Sequence, residues 1–181
     1  MEIIEGELRW FGKVLDSDFT QLRLLIISDA HYGNPLFSTK YWSYTLKFVN
    51  DNPDVYCLVN GDICESTIKT SKGEIFKQVG TPQDQRDWAI EQFYPIRDKI
   101  LGMTKGNHED RIWQEVGVDI CKDIAQALGV PYRAEGMMVK TMFGDGNNRT
   151  KGMPYVFWGY ITHGYGGART KSAKAVKVER L

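Results

Sequence analysis

All three histidines of the chain stand in short polar clusters that follow apolar runs. Residues 22–28 lead into Asp29-Ala30-His31 and residues 55–60 into Gly61-Asp62. Residues 100–105 lead into Gly106-Asn107-His108-Glu109, and residues 156–162 into His163-Gly164. If these runs are neighbouring strands, their carboxyl ends deliver two carboxylates, an amide and three imidazoles to one crevice. That crevice is where sheets of this kind bind ligands. Carboxylate oxygen with imidazole nitrogen is a donor set suited to manganese, iron or zinc.

Each cluster taken alone has a plainer reading. Asp29 could cap a turn with His31 beside it in a loop. Gly61-Asp62 could be an ordinary strand-to-loop turn, glycine permitting a tight bend and a close backbone approach. Asn107 could be a helix N-cap with Glu109 in the first turn, a position that also favours phosphate. His163 could be structural, and Arg169, beyond Gly166-Gly167, a solvated surface residue. Against this, Asn107 offers a neutral oxygen ligand, and His108 beside it titrates near neutrality, as a general acid must.

The ordered series Asp-x-His, Gly-Asp, Gly-Asn-His-Glu, His-Gly resembles the calcineurin-like metallophosphoesterase family over about residues 22–170. Ile26-Ile27-Ser28-Asp29-Ala30-His31-Tyr32-Gly33-Asn34-Pro35 and Thr162-His163-Gly164-Tyr165-Gly166-Gly167-Ala168-Arg169-Thr170 are similar to the small phosphoesterases of phages and their bacterial hosts. The resemblance implies an α/β fold, a layered β-sandwich flanked by helices. It implies two divalent metal ions, manganese first, with iron, zinc and nickel as alternatives. Asp29 and His31 would hold one cation, Asn107 and His163 the other, and Asp62 would bridge them. Such a pair clamps the oxygens of an in-line displacement at phosphorus. His108 would protonate the leaving group. Glu65 stands where relatives have an acidic residue that orients this histidine. Arg111 and Arg169 would clamp phosphate.

The implied activity is metal-dependent hydrolysis of a phosphodiester or phosphomonoester, with a nuclease or nucleotide phosphodiesterase foremost. A protein or small-molecule phosphatase is an alternative, as is a binding or scaffold protein that keeps the fold without turnover. The family's closing Gly-His-x-His does not occur in these 181 residues. The expectation is therefore a C-terminally incomplete domain with three protein ligands per cation. A complementing chain or self-association would be its partner, besides the phosphoester substrate, nucleic acid or nucleotide.

The elements that must position these residues fit one domain over residues 1–181. A chain of this length buries about 70% of its unfolded surface. It is 42% hydrophobic and 25% charged, with 23 basic and 23 acidic residues. Zero net charge argues against broad electrostatic capture of nucleic acid or membrane. No apolar run approaches the roughly 20 residues of a membrane span. Three cysteines, an odd number without paired spacing, fit a reducing, cytoplasmic setting in a bacterial or phage-infected cell.

Residues 21–28 read as a strand buried on both faces. A helix capped by Ser38 or Thr39 should run to about residue 50, with Tyr41, Trp42, Thr45, Leu46 and Val49 as its apolar stripe. A strand over residues 55–60 then completes a β-α-β unit. A long loop over residues 61–80 precedes a helix opened by Thr81-Pro82 and split by Pro95. After the third strand come a helical turn over 109–115 and a helix over 119–128 that ends at Gly129. Strands over 137–143 and 155–161 flank the turn-rich Gly144-Asp145-Gly146-Asn147-Asn148. Residues 1–19 show no period, and residues 171–181 resemble the start of a basic amphipathic helix.

Overall fold

The computed structural model describes residues 3–5, 10–71, 75–145 and 152–164. Arg169, the anticipated helix over 171–181 and most of the turn after Gly144 lie outside them. The described chain is mixed α/β. Its strands are β1 (Ile3–Glu5), β2 (Trp10–Val14), β3 (Arg23–Ile27), β4 (Val55–Asn60), β5 (Ile100–Thr104), β6 (Met137–Phe143) and β7 (Tyr155–Ile161). Its α-helices are α1 (Thr39–Asp51), α2 (Pro82–Phe93), α3 (Asn107–Val116) and α4 (Ile120–Leu128). No helix among the described residues is long and apolar enough to cross a membrane.

Strands β3, β4 and β5 form a parallel sheet, in register at Ile27↔Val59 and Val59↔Met103, so their carboxyl ends are level. Parallel pairing follows from the crossovers, because α1 returns the chain between β3 and β4 and α2 between β4 and β5. Ser38 caps α1, its side chain accepting from the Tyr41 N–H. Thr81 and Asp84 cap α2 reciprocally, with Pro82 in the first turn. Helix α2 stops at Phe93, and a 3-10 segment, Tyr94–Lys99, carries Pro95. The expected break is there because proline has no N–H for the α-helical ladder.

Side chains alternate across β4. Cys57 and Val59 join Val49, Phe93, Met103 and Ile124 in a core beneath the helices. Leu58 turns the other way and packs with Leu101, Phe11, Met137, Val139 and Ile161. The last four belong to the second sheet, ordered β1-β2-β6-β7. Apolar residues of both sheets therefore meet in one cluster, which brings the end of β7 to the ends of β3–β5.

Several expectations need correction. Strand β3 is not buried on both faces. It is the edge of its sheet among the described residues, and Ile26 is 51% exposed. Tyr41 lies on the exposed side of α1, where Trp42 and Val49 carry the burial. Helix α3 is longer than the turn expected, and Gly106 is its N-cap, so Asn107 is its first residue. The aperiodic N-terminus contains two strands. β2 pairs parallel to β6 and antiparallel to β1. Its pattern was obscured by Lys13, which is buried and donates from Nζ to the Asp98 carbonyl at 2.6 Å. Burial pushes that ammonium down to about 8.

Candidate functional site

The loops after β3 and β4 continue side by side beyond the sheet. The Asp29 N–H donates to the Gly61 carbonyl (3.2 Å), that of His31 to Asp62 (2.9 Å) and that of Tyr32 to Ile63 (2.7 Å). These bonds hold Asp29, His31 and Asp62 in left-handed backbone, with φ of 56°, 53° and 51°. Each such residue costs on the order of 1–3 kcal/mol unless its surroundings over-determine it. Three of the five anticipated metal-binding residues carry this strain. The two motif glycines meet back to back. A Cβ at Gly61, itself at φ +74°, would lie 2.4 Å from the Gly106 nitrogen. One at Gly106 would lie 2.1 Å from Asp62 Oδ1. The absence of side chains lets the β4 and β5 loops touch.

Onto this frame converge Asp62 from β4, Asp29 and His31 from β3, and His163 from β7. Asp62 Oδ2 stands 3.2 Å from His163 Nε2 and 3.9 Å from His31 Nε2. His31 Nε2 is 3.8 Å from Asp29 Oδ1. Donor atoms of Asp29, Asp62 and His163 lie within 4.8 Å of one another, and so do those of His31, Glu65 and His108. Asp62 is buried, with 3% of its side chain exposed, whereas Asp29 is 62% exposed. Asn107, exposed at the start of α3, lines one cleft with His163. Asp29, His31, Asp62 and His163 thus converge, and Asn107 borders the cleft on the His163 side.

Main-chain carbonyls set the tautomers. His163 Nδ1 is 2.6 Å from the Asn60 carbonyl and His108 Nδ1 is 2.9 Å from that of Glu65. A carbonyl only accepts, so each Nδ1 bears a hydrogen. His108 Nε2 is then left without one in the neutral ring, whereas His163 Nε2 also bears a hydrogen below about pH 9 and donates it to Asp62. Glu65 therefore holds His108 through its backbone. Its carboxylate is nearer His31 Nδ1 (3.3 Å) than His108 Nδ1 (3.7 Å) and also accepts from Asn34 Nδ2 at 3.2 Å. The His31 and His108 rings lie edge to face, 4.2 Å apart. Arg111, one turn past His108 on α3, is half-buried and close enough to depress the His108 imidazole. It makes no hydrogen bond or ion pair with another described residue.

Two positioning residues were not singled out from the sequence. Glu109, fully buried, accepts from the Asp62 N–H (3.0 Å), the Cys64 N–H (2.9 Å) and the Gly106 N–H (3.2 Å). It staples the β4 loop to the start of α3. Its place three residues into the helix is the signal that was available, but that reads equally as ordinary capping. Asn60 donates from Nδ2 to the Thr162 carbonyl (3.0 Å) and accepts from Thr104 Oγ1 (2.7 Å), tying the ends of β4, β5 and β7 together.

Burial opposes ionisation of Asp62, but the His163 imidazole and the His108 N–H, which donates to Oδ1 at 2.8 Å, outweigh it and hold the carboxyl below its usual range. The same pair raises His163 to about 9. His108 is pushed down, chiefly by burial. Asp29 and Asp62 beside the Nε2 atoms of His31 and His163, on strained backbone, are a donor set that fits divalent cations.

A cation at His163 must displace its proton. Below about pH 9 the two compete, so cation affinity should rise with pH up to that value. At pH 7 loading should release about one proton from this residue, as calorimetry in buffers of different ionisation enthalpy would read. In the metal-free protein the sign is opposite. The His163–Asp62 contact stabilises the fold fully below the ordinary histidine value of about 6.5, and that contribution is lost as pH rises through about 9.

No family model matches this chain, and no curated protein matches it either.

Proposed function

We propose that the chain is a metal-dependent phosphoesterase of the calcineurin-like type, hydrolysing a nucleotide or nucleic-acid phosphodiester, or a phosphomonoester. The observation that carries the reading is the convergence of Asp29, Asp62 and His163 donor atoms within 4.8 Å, with the His108 ring beside them and its Nε2 uncommitted. The apolar cluster shared by the two sheets supports the sandwich architecture of that family. Three buried free thiols support a reducing, cytoplasmic setting.

In this reading Asp29, His31 and Asp62 would hold one divalent cation and Asp62, Asn107 and His163 a second, manganese being the first choice. Bound there, they would supply Lewis-acid activation of the phosphoryl group and of the attacking water. The imidazolium form of His108, with a hydrogen on each nitrogen, would give its Nε2 proton to the leaving oxygen. Burial disfavours that form, which makes it the stronger acid and lowers the fraction of His108 that carries the second proton at neutral pH. The Glu65 carbonyl fixes the ring, and the Glu65 carboxylate steadies His31 from behind, as outer-sphere carboxylates do for ligating histidines. Arg111 faces the substrate's phosphate.

Metal analysis combined with turnover of a chromogenic aryl phosphodiester tests the reading. His108→Ala should slow hydrolysis about 10²–10⁴-fold while metal content stays at the parent level. Parallel loss of metal and activity would make His108 a ligand and not an acid. A protein that takes up no divalent cation would be a binding or scaffold protein on this fold.

A further inference from the structure

The cleft lined by Asn107 and His163 has chemistry that metal binding does not use. Its volume is about 920 Å³, within the roughly 300–1,000 Å³ range of small-molecule sites. Asn107 and His163 line it together with Trp113 of α3 and Tyr160 of β7. His163 is nearly buried, whereas Trp113 is 50% and Tyr160 55% exposed, so the aromatic residues stand toward the opening. Each has a neighbour that fixes it. The Lys105 ammonium lies 5.4 Å from the Trp113 ring centre and is fixed by an ion pair to Asp110 at 2.5 Å. Tyr160 leans on Gly136, where a Cβ would come within 2.5 Å of its hydroxyl. Rigidly seated aromatic faces beside a phosphate-binding centre are stacking platforms.

The charges of the cleft limit what can occupy it. Lys105 is spent on Asp110, which leaves Lys122 against Asp119 and Glu135. A polynucleotide track needs several cations along its path, and among the described lining residues Asp110, Asp119 and Glu135 outnumber Lys105 and Lys122. Resting on the phosphoesterase reading, we infer that this cleft binds the base of a mononucleotide phosphoester, with Trp113 and Tyr160 as its stacking residues, and does not follow a nucleic-acid strand.

Calorimetric titration of the manganese-loaded protein with adenosine 5′-monophosphate and with ribose 5-phosphate isolates the base. The nucleotide should bind about 5- to 150-fold more tightly, the worth of one stacked base. Trp113→Leu and Tyr160→Leu should each shrink that ratio, and Phe76→Ala, an exposed aromatic outside the cleft, should leave it unchanged. A single-stranded oligonucleotide should bind no more tightly than the mononucleotide. Equal affinity for the two phosphates, or a ratio unmoved in both leucine variants, overturns the inference and leaves the phosphoesterase reading standing. Tighter, steeply salt-dependent oligonucleotide binding overturns it in favour of a strand-binding groove. If neither phosphate nor the oligonucleotide binds, both readings fall.

Discussion

Glu109→Ala is expected to unfold the protein or bring it close to unfolding. Its carboxylate takes three backbone N–H groups, from Asp62, Cys64 and Gly106, at 2.9–3.2 Å in a place without solvent access. Alanine leaves these donors unpaired at about 1–3 kcal/mol each, against a total stability of about 5–15 kcal/mol for a domain. Glu109→Gln separates hydrogen bonding from packing. Its single oxygen can take the place of Oε2, which serves Asp62 and Gly106, but its amide then meets the Cys64 N–H donor to donor. The glutamine variant should therefore lie between parent and alanine. Urea unfolding of the three proteins measures the order. An alanine variant with the parent's midpoint would show that the staple is dispensable.

Asp62→Ala should strip metal more completely than any other single change at the site. The side chain reaches toward both His163 and His31, and its Oδ1 accepts from the His108 N–H. In the proposed two-cation reading Asp62 would touch both ions, so its loss would remove a ligand from each and leave their mutual repulsion unshielded. The loss of affinity should exceed the roughly 10–100-fold typical of an outer partner, with activity falling to background. Asp29→Ala, at an exposed carboxylate on one side of the site, should spare one cation. Asp62→Asn keeps an acceptor for the His108 N–H and so separates metal loss from local unfolding. Equal metal loss in the Asp29 and Asp62 alanine variants would count against a bridge.

Much of the molecule was legible before any coordinates. Strands β4, β5, β6 and β7 follow from continuous apolar runs between turn residues, because strands of this length are recognised by local pattern. The caps at Ser38 and Thr81 are equally local, each a side chain bonding a backbone N–H three residues on. The residues of the site were legible through residue type. Aspartate, asparagine and histidine at strand ends are conspicuous because each is costly to bury without a partner.

What one strand asks of another was not legible. β2 is a strand because β6 offers it a parallel partner and the Asp98 carbonyl receives the Lys13 ammonium, 85 positions apart in the sequence. β3 has an open side because no described strand pairs beyond it. The roles of Glu109 and Asn60 depend on loops folding back onto them from distant strands, so neighbouring residues carry no trace of those roles. The sequence alone determined which chemical groups this protein can bring to bear, and on which strand ends. Only the tertiary structure decided that His163, from the other sheet, meets Asp62 at 3.2 Å, and that main-chain carbonyls hold Nδ1 of both His108 and His163. Residue type and periodicity are local properties of a chain. Distance, tautomer and strain arise only when separate segments are packed against one another.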